Sequence, residues 1–184
     1  MDVLSEAIVE TPVGPLWAVA SGRGLCILEF RRDDRVSLEA GRLRRWYGGA
    51  VPRREANPHL AQTRAWLASY FRGRFDELEA PPLDARGTPF ELAVWRAMRA
   101  IRIGEVSTYA ALASRLGVPR GARAVGAASR RNPVCLVTPC HRVVGSGGAL
   151  VGYGGGLDLK RWLLEHEGAV PSLGASPAPA ARAR

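Results

Sequence analysis

The chain has 184 residues, 47% hydrophobic and 23% charged, enough apolar side chain for a buried core and too much for a disordered polymer. No apolar run approaches the roughly 20 residues of a membrane span, and three cysteines are too few, and odd in number, for a disulfide framework. The net charge of +9 sits entirely in residues 86–184, where 14 basic residues face 5 acids; residues 1–85 balance 12 against 12.

Residues 7–30 alternate around glycine and proline punctuation. Ala7-Ile8-Val9, Leu16–Ala20 and Leu25–Phe30 read as three strands, with turns at Pro12, Gly14-Pro15 and Ser21–Gly24, which predicts a small antiparallel sheet. A charged helix or loop follows from Arg31 to Arg45. From Pro58 to Phe71, Leu60, Trp66, Leu67, Tyr70 and Phe71 fall at helical spacing. Pro81-Pro82 through Gly87 reads as a linker at the point where the charge balance changes, so the expected units are 1–85 and 86–169.

Thr88-Pro89 with Glu91 supplies the cap, first-turn proline and early acid of a helix start, and Gly104 is expected to end that helix. Ser107 to Leu116 reads as a second helix, broken by Gly117-Val118-Pro119. A third runs from about Arg120 to Arg130. Helix, glycine turn, helix is the outline of a helix-turn-helix, a weakly specific pattern on its own. The stretch from Pro171 to Arg184 is Pro, Ala, Ser and Arg with little to bury, and residues 170–184 are expected to form a disordered tail. The fold class is therefore mixed α/β (α+β): an N-terminal sheet unit and a mostly helical C-terminal unit. The N-terminus lacks the basic start and apolar core of a signal peptide, and a cytoplasmic protein is expected.

The charge asymmetry points to a polyanion, most simply nucleic acid. Arginine makes up 25 of the 26 basic residues, so codon bias could inflate the count, but such bias would act on both halves. The third helix carries Arg120, Arg123, Arg130 and Arg131 with no acid. Arg123, Gly126, Ala127 and Arg130 share one face, a small-residue floor between two arginines that suits the narrow minor groove of DNA. Ala124, Val125 and Ala128 are expected to pack against a neighbouring helix; tight helix packing alone would also explain the small residues.

The strongest chemical signal is Asn132 to Val144. A buried strand, Val134–Val137, ends in Thr138-Pro139 and delivers Cys140 followed at once by His141. Adjacent side chains on an extended chain point apart, so a bridging water is the natural route for His141 to take the thiol proton. A nucleophilic Cys140 must be thiolate. An inert buried thiol, a metal site with Cys135 and His141, and a cysteine hydrolase with His141 as base remain open on the residues alone. Cys26 and Cys135 are expected in the core.

Pro139-Cys140-His141-Arg142-Val143-Val144 resembles the active-site signature of the O6-alkylguanine-DNA alkyltransferases (methylated-DNA–protein-cysteine methyltransferases). The likeness runs from Phe90 through Gly168 and includes Gly104–Tyr109, Ala122–Gly126, Arg131-Asn132-Pro133, Gly152–Gly156 and Trp162–Gly168. The first 80 residues match more loosely, through Thr11–Leu16 and the Gly24-Leu25 strand. The resemblance implies a ribonuclease-H-like N-terminal unit and a C-terminal alkyltransferase domain. The reaction it implies is single-use repair: O6-alkylguanine, with O4-alkylthymine as a further substrate, is flipped from duplex DNA and its alkyl group passes irreversibly to Cys140. His141 would act as base through water, oriented by Glu167, with Asn132 bracing the turn and Tyr109 aiding flipping and protonating the guanine at N3. Arg123 would fill the vacated stack, with Ala124, Gly126, Ala127 and Arg130 on the minor-groove face. Val143, Tyr153 and Gly154 would line the base pocket. No cofactor is implied, and no zinc, since the first half offers only Cys26 and His59 where some relatives carry paired Cys and His. The expected partner is double-stranded DNA carrying an alkylated guanine, bound by a monomer, with no membrane. A non-catalytic helix-turn-helix DNA-binding or damage-sensing regulator is the alternative, and it leaves Cys140, His141 and Glu167 without a task.

Overall fold

The computed structural model describes residues 3–77 and 79–169. The expected tail at 170–184 lies outside the described residues.

The first unit comprises residues 3–86 together with Pro133–Cys135. Its sheet is β1 (Ser5–Val9), β2 (Leu16–Ala20) and β3 (Leu25–Phe30), antiparallel in that order, with Ala7 opposite Ala18 and Ala18 opposite Leu28. Every residue of β2 and β3 is buried, so these strands read as near-continuous apolar runs rather than as an alternation. The charged stretch is a helix, α1 (Asp33–Trp46), and α2 (Pro58–Phe71) starts where Asn57 accepts from the His59 and Leu60 amides. Helix α1 contributes carboxylate as well as hydrocarbon to the interior: Glu39 is fully buried and accepts from Arg42 at 2.8 Å, while Arg35 pairs with the buried Glu29 of β3. The Pro81–Gly87 stretch is not a free linker. The Leu25 amide donates to the Pro82 carbonyl (2.8 Å) and the Asp84 amide to Leu25 (2.9 Å), while the Asp84 carboxylate accepts from Ser21. A sheet edge with unpaired amides recruits such a segment.

The second unit comprises 87–132 and 136–169. Helix α3 (Pro89–Arg99) begins with a full capping box, the Thr88 side chain on the Glu91 amide and the Glu91 carboxylate on the Thr88 amide. It stops at Arg99, not at Gly104; Gly104 (φ 80°) belongs to the following turn, closed by the Glu105 amide on the Arg102 carbonyl. Ser107-Thr108 does not begin a helix either. It is a short strand, β4, parallel to β5 (Val143–Val144), and Thr108 caps α4 (Tyr109–Arg115). Pairing with Val143–Val144 overrides the local helix signal. Helix α4 ends in a Schellman motif: Gly117 sits at φ 73°, its amide on the Ser114 carbonyl and the Val118 amide on Ala113. Helix α5 (Ala122–Arg130) then buries Val125, Ala128 and Ser129. Ala124, expected in that packing, is exposed. The Trp95 indole donates to the Ala128 carbonyl at 2.9 Å, and Arg131 pairs with Glu91 at 2.7 Å, fixing α5 against α3. Helix α6 (Leu157–His166) closes the unit.

Candidate active site

After α5 the chain enters the first unit for three residues. The expected strand Val134–Val137 is instead one bridge, Val134 with Leu28, followed by a turn. Leu136 occupies the left-handed region at φ 65°, unlike any other non-glycine residue described, and it is buried. A buried leucine there costs on the order of 1–3 kcal/mol, so the surroundings must over-determine it. Asn132 does so: its buried amide donates to the Thr138 carbonyl at 2.8 Å, closing the turn that contains Leu136.

That turn delivers Cys140 and His141 on a one-turn 3-10 helix, Cys140–Arg142, rather than on an extended chain. Successive side chains on such a helix diverge by roughly a third of a turn. Cys140 is partly exposed and His141 completely buried, whereas Cys26 and Cys135 are buried thiols.

The His141 Nε2 lies 2.9 Å from a Glu167 carboxylate oxygen. Arg142 grips the same carboxylate with Nε at 2.7 Å and Nη2 at 2.9 Å, and donates through Nη1 to the Ile101 carbonyl at 2.7 Å. Burial alone would raise the Glu167 carboxyl, but His141 and Arg142 outweigh it and hold the group well below the carboxylate range. Burial pushes the His141 imidazolium below its ordinary value, with Glu167 opposing and Arg142 and Lys160 adding to the shift. Glu167 is thus ionised, His141 is neutral with its Nε2–H donated to it, and Nδ1 carries the lone pair. Among the described residues Nδ1 has no hydrogen-bond partner.

Lys160, on α6, is fully buried and donates to the Val143 carbonyl at 2.6 Å and the Val151 carbonyl at 2.8 Å. Burial lowers its ammonium to about 8, against the opposing pull of Cys140. Tyr109 is shifted upward by burial and by the same Cys140, and Arg130 opposes the shift. Cys140 therefore stands in electrostatic reach of Lys160 and Tyr109.

A cavity of about 470 Å³ opens in this unit, walled by Tyr109, Arg123, Gly126 and Arg130 on one side and by Gly145, Ser146, Val151 and Gly152 on the other. Gly126 faces the phenol: a Cβ there would meet the Tyr109 ring at 3.7 Å, an ordinary van der Waals contact. The structure so brings Tyr109, Arg123, Gly126 and Arg130 together, and separately His141, Glu167 and, through the bracing turn, Asn132. Ala124 and Ala127, on α5, lie outside the cavity wall, and so do the buried Val143, whose carbonyl accepts from Lys160, and the loop residues Tyr153 and Gly154. Among the described residues no cluster of Cys, His, Asp and Glu is placed to hold a metal, and no helix is long and apolar enough to cross a membrane.

Sequence reasoning assigned no role to Arg142 and left Lys160 open between the active-site loop and solvent. A signal existed for each. Arg142 is a charge set between His141 and the apolar pair Val143–Val144, and Lys160 stands alone as lysine among 26 basic residues.

Comparison with known proteins gives one answer over both units. Residues 4–85 match the ribonuclease-like domain, and residues 89–169 the DNA-binding domain, of 6-O-methylguanine DNA methyltransferase. The methylated-DNA–protein-cysteine methyltransferase of Salmonella typhimurium is 41% identical over 166 residues, 90% of this chain and 96% of that one. The enzyme of that name from Mycobacterium leprae is 39% identical over 159 residues, 86% and 89% of the two chains. Among solved structures, the Mycobacterium tuberculosis O6-methylguanine methyltransferase superposes with a TM-score of 0.72 at 32% identity, covering 93% of this chain and 96% of that one. A crystal structure titled as the M. tuberculosis OGT in complex with DNA gives a TM-score of 0.72 at 34% identity, covering 88% and 91%.

Proposed function

The chain belongs to the 6-O-methylguanine DNA methyltransferase family, and on that premise we propose that it repairs duplex DNA by moving the alkyl group of O6-alkylguanine onto its own Cys140. The observation that carries this reading is the buried His141–Glu167 pair, its free acceptor Nδ1 next in sequence to a partly exposed cysteine.

The chemistry follows from the charges. His141 Nδ1 takes the Cys140 proton through a water, the route favoured by side chains that diverge on the 3-10 turn. Lys160, an ammonium within electrostatic reach, favours the thiolate. The sulfur attacks the alkyl carbon, an S–C bond forms and the C–O6 bond breaks. The electron pair leaves with the guanine, which takes a proton from Tyr109 at N3. The His141 imidazolium gives its proton back through water to Tyr109, so that net the thiol proton ends on the guanine and the alkyl group on the sulfur. The thioether is not a leaving group for water, so each molecule reacts once. This is the nucleophile, base and orienter logic of a hydrolytic triad with a different ending.

The O6 atom is out of reach of a pocket thiol while the base is stacked, so the nucleotide must be extruded. A cavity bounded by Tyr109, Arg123 and Gly126 supports entry of the base at α5, with the exposed Arg123 filling the gap in the stack. The small face of α5 and the basic C-terminal half support a minor-groove approach to the backbone.

The test is a transfer assay on a duplex carrying O6-methylguanine, run with the wild type and Cys140→Ala. The wild type should acquire methyl groups, and Cys140→Ala should bind the duplex with unchanged affinity and acquire none. A Cys140→Ala protein that still takes up methyl groups overturns the assignment.

A further inference from the structure

The Glu167 carboxylate is shared. It accepts one hydrogen bond from His141 and two from Arg142, and all three side chains are at least nine-tenths buried. In a hydrolytic triad the carboxylate chiefly serves the histidine, and its charge favours the imidazolium. Here a guanidinium occupies most of it.

We propose that Arg142 is a positioning residue for the transfer reaction, which supplies the counter-charge of Glu167 and so keeps His141 a neutral imidazole with Nδ1 open to take the thiol proton. With Arg142 present, the buried cluster of Glu167, Arg142 and neutral His141 carries no net charge. Without it, a lone carboxylate would be left in a dry site, a cost that burial makes prohibitive. The cheapest relief is a proton on His141, already in contact with Glu167 through Nε2. Imidazolium has an N–H at both ring nitrogens, so Nδ1 would become a donor and could accept nothing. Arg142 also ties Glu167 to the Ile101 carbonyl, fixing the carboxylate from a side His141 does not touch.

The other groups around the imidazole do not substitute for Arg142. Lys160 on α6 also disfavours the imidazolium, but its ammonium is committed to the Val143 and Val151 carbonyls and makes no bond to Glu167. Tyr153 presents its ring edge-on at 6.3 Å between centroids, a contact through the ring and not through a charge. Cys140, next in the chain, is the group His141 must deprotonate.

The inference rests on the alkyltransferase reading, and its test separates the two. The protonation state of His141 is read directly by imidazole nitrogen chemical shifts, with only three histidines to assign. It needs no substrate. In the wild type, His141 should be neutral at pH 7. In Arg142→Met it should be imidazolium at pH 7, and in Arg142→Lys neutral again. The transfer rate against pH gives the second readout. The acid limb for Arg142→Met should move up by at least about one pH unit, a tenfold loss at pH 6 that largely recovers by pH 8.5. A merely structural role would lower the rate equally at all pH and leave the His141 shifts neutral, and that result would overturn the proposal. So would an imidazolium at pH 7 in the wild type or in Arg142→Lys, which keeps the proposal testable if Arg142→Met does not fold. Failure of the alkyltransferase reading would look different: the expected His141 protonation state in every variant, imidazolium in Arg142→Met included, with no methyl on Cys140.

Discussion

Replacing Glu167 by Gln removes a charge and almost nothing else, so it isolates what the carboxylate does for the fold. The side chain is fully buried and accepts three hydrogen bonds, at 2.7, 2.9 and 2.9 Å, two of them from a guanidinium that is itself almost wholly buried. Breaking a buried ion pair by removing one partner costs about 3–5 kcal/mol, because the survivor keeps its desolvation penalty. For a protein of this length that corresponds to a Tm lower by roughly 6–20 °C. The sign of the pH dependence is fixed by the direction of the shift. Glu167 is held below its unfolded value, so its stabilisation is complete above about pH 4.3, the unfolded value, and is lost as pH falls through the folded one. Urea denaturation of wild type and Glu167→Gln at pH 7, and in steps from pH 5 to 3, should show a gap that is widest at neutral pH and closes in acid. Equal midpoints at pH 7, or a gap that does not change down to pH 3, would refute the reasoning.

Asn132→Ala leaves the buried Thr138 carbonyl without its donor and should cost about 1–3 kcal/mol, with a matching loss of transfer rate as the Leu136 turn relaxes; thermal melts beside single-turnover rates check both. Lys160 is lowered to about 8 while its unfolded value is about 10.4, so the folded state releases its proton first and stability gained from this group rises with pH across that window. Wild type minus Lys160→Met stability, measured from pH 7.5 to 10.5, should therefore increase; a flat difference contradicts the assignment. Arg123→Ala should weaken binding to the lesion duplex and slow transfer, while leaving the His141 shifts in place. Affinity for any duplex should fall as salt rises, since arginine–phosphate contacts release counterions, and titrations at 50 and 200 mM salt measure it.

Local signals were legible where the physics is local. Strands β2 and β3 and helix α2 appear in the sequence with their bounds, and β1 with its C-terminal end, because glycine punctuation and helical spacing are properties of neighbouring residues; β1 begins two residues earlier, at Ser5. The helix starts at Thr88 and the break at Gly117 are equally local, a capping box and a left-handed glycine. What was misread depends on partners far along the chain. Ser107-Thr108 is a strand only because Val143–Val144 lies beside it, and Val134–Val137 is a turn because Asn132 and Thr138 close it. The motif around Cys140 singled out the candidate nucleophile and its histidine, and the family likeness added Glu167. The sharing of Glu167 with Arg142 was hidden, since nothing in a sequence tells that an arginine 25 residues away points inward rather than to water. Whether Lys160 turns inward was undecided for the same reason.

The central claim is that Cys140 is a single-use acceptor. The direct measurement is intact-mass and peptide-mass analysis after incubation with excess duplex carrying one O6-methylguanine. One added methyl per protein molecule, located on Cys140 and not exceeded at longer times, is the expected result. An unmodified protein that still binds the duplex would contradict it and leave a DNA-binding protein in which Cys140 has no chemistry.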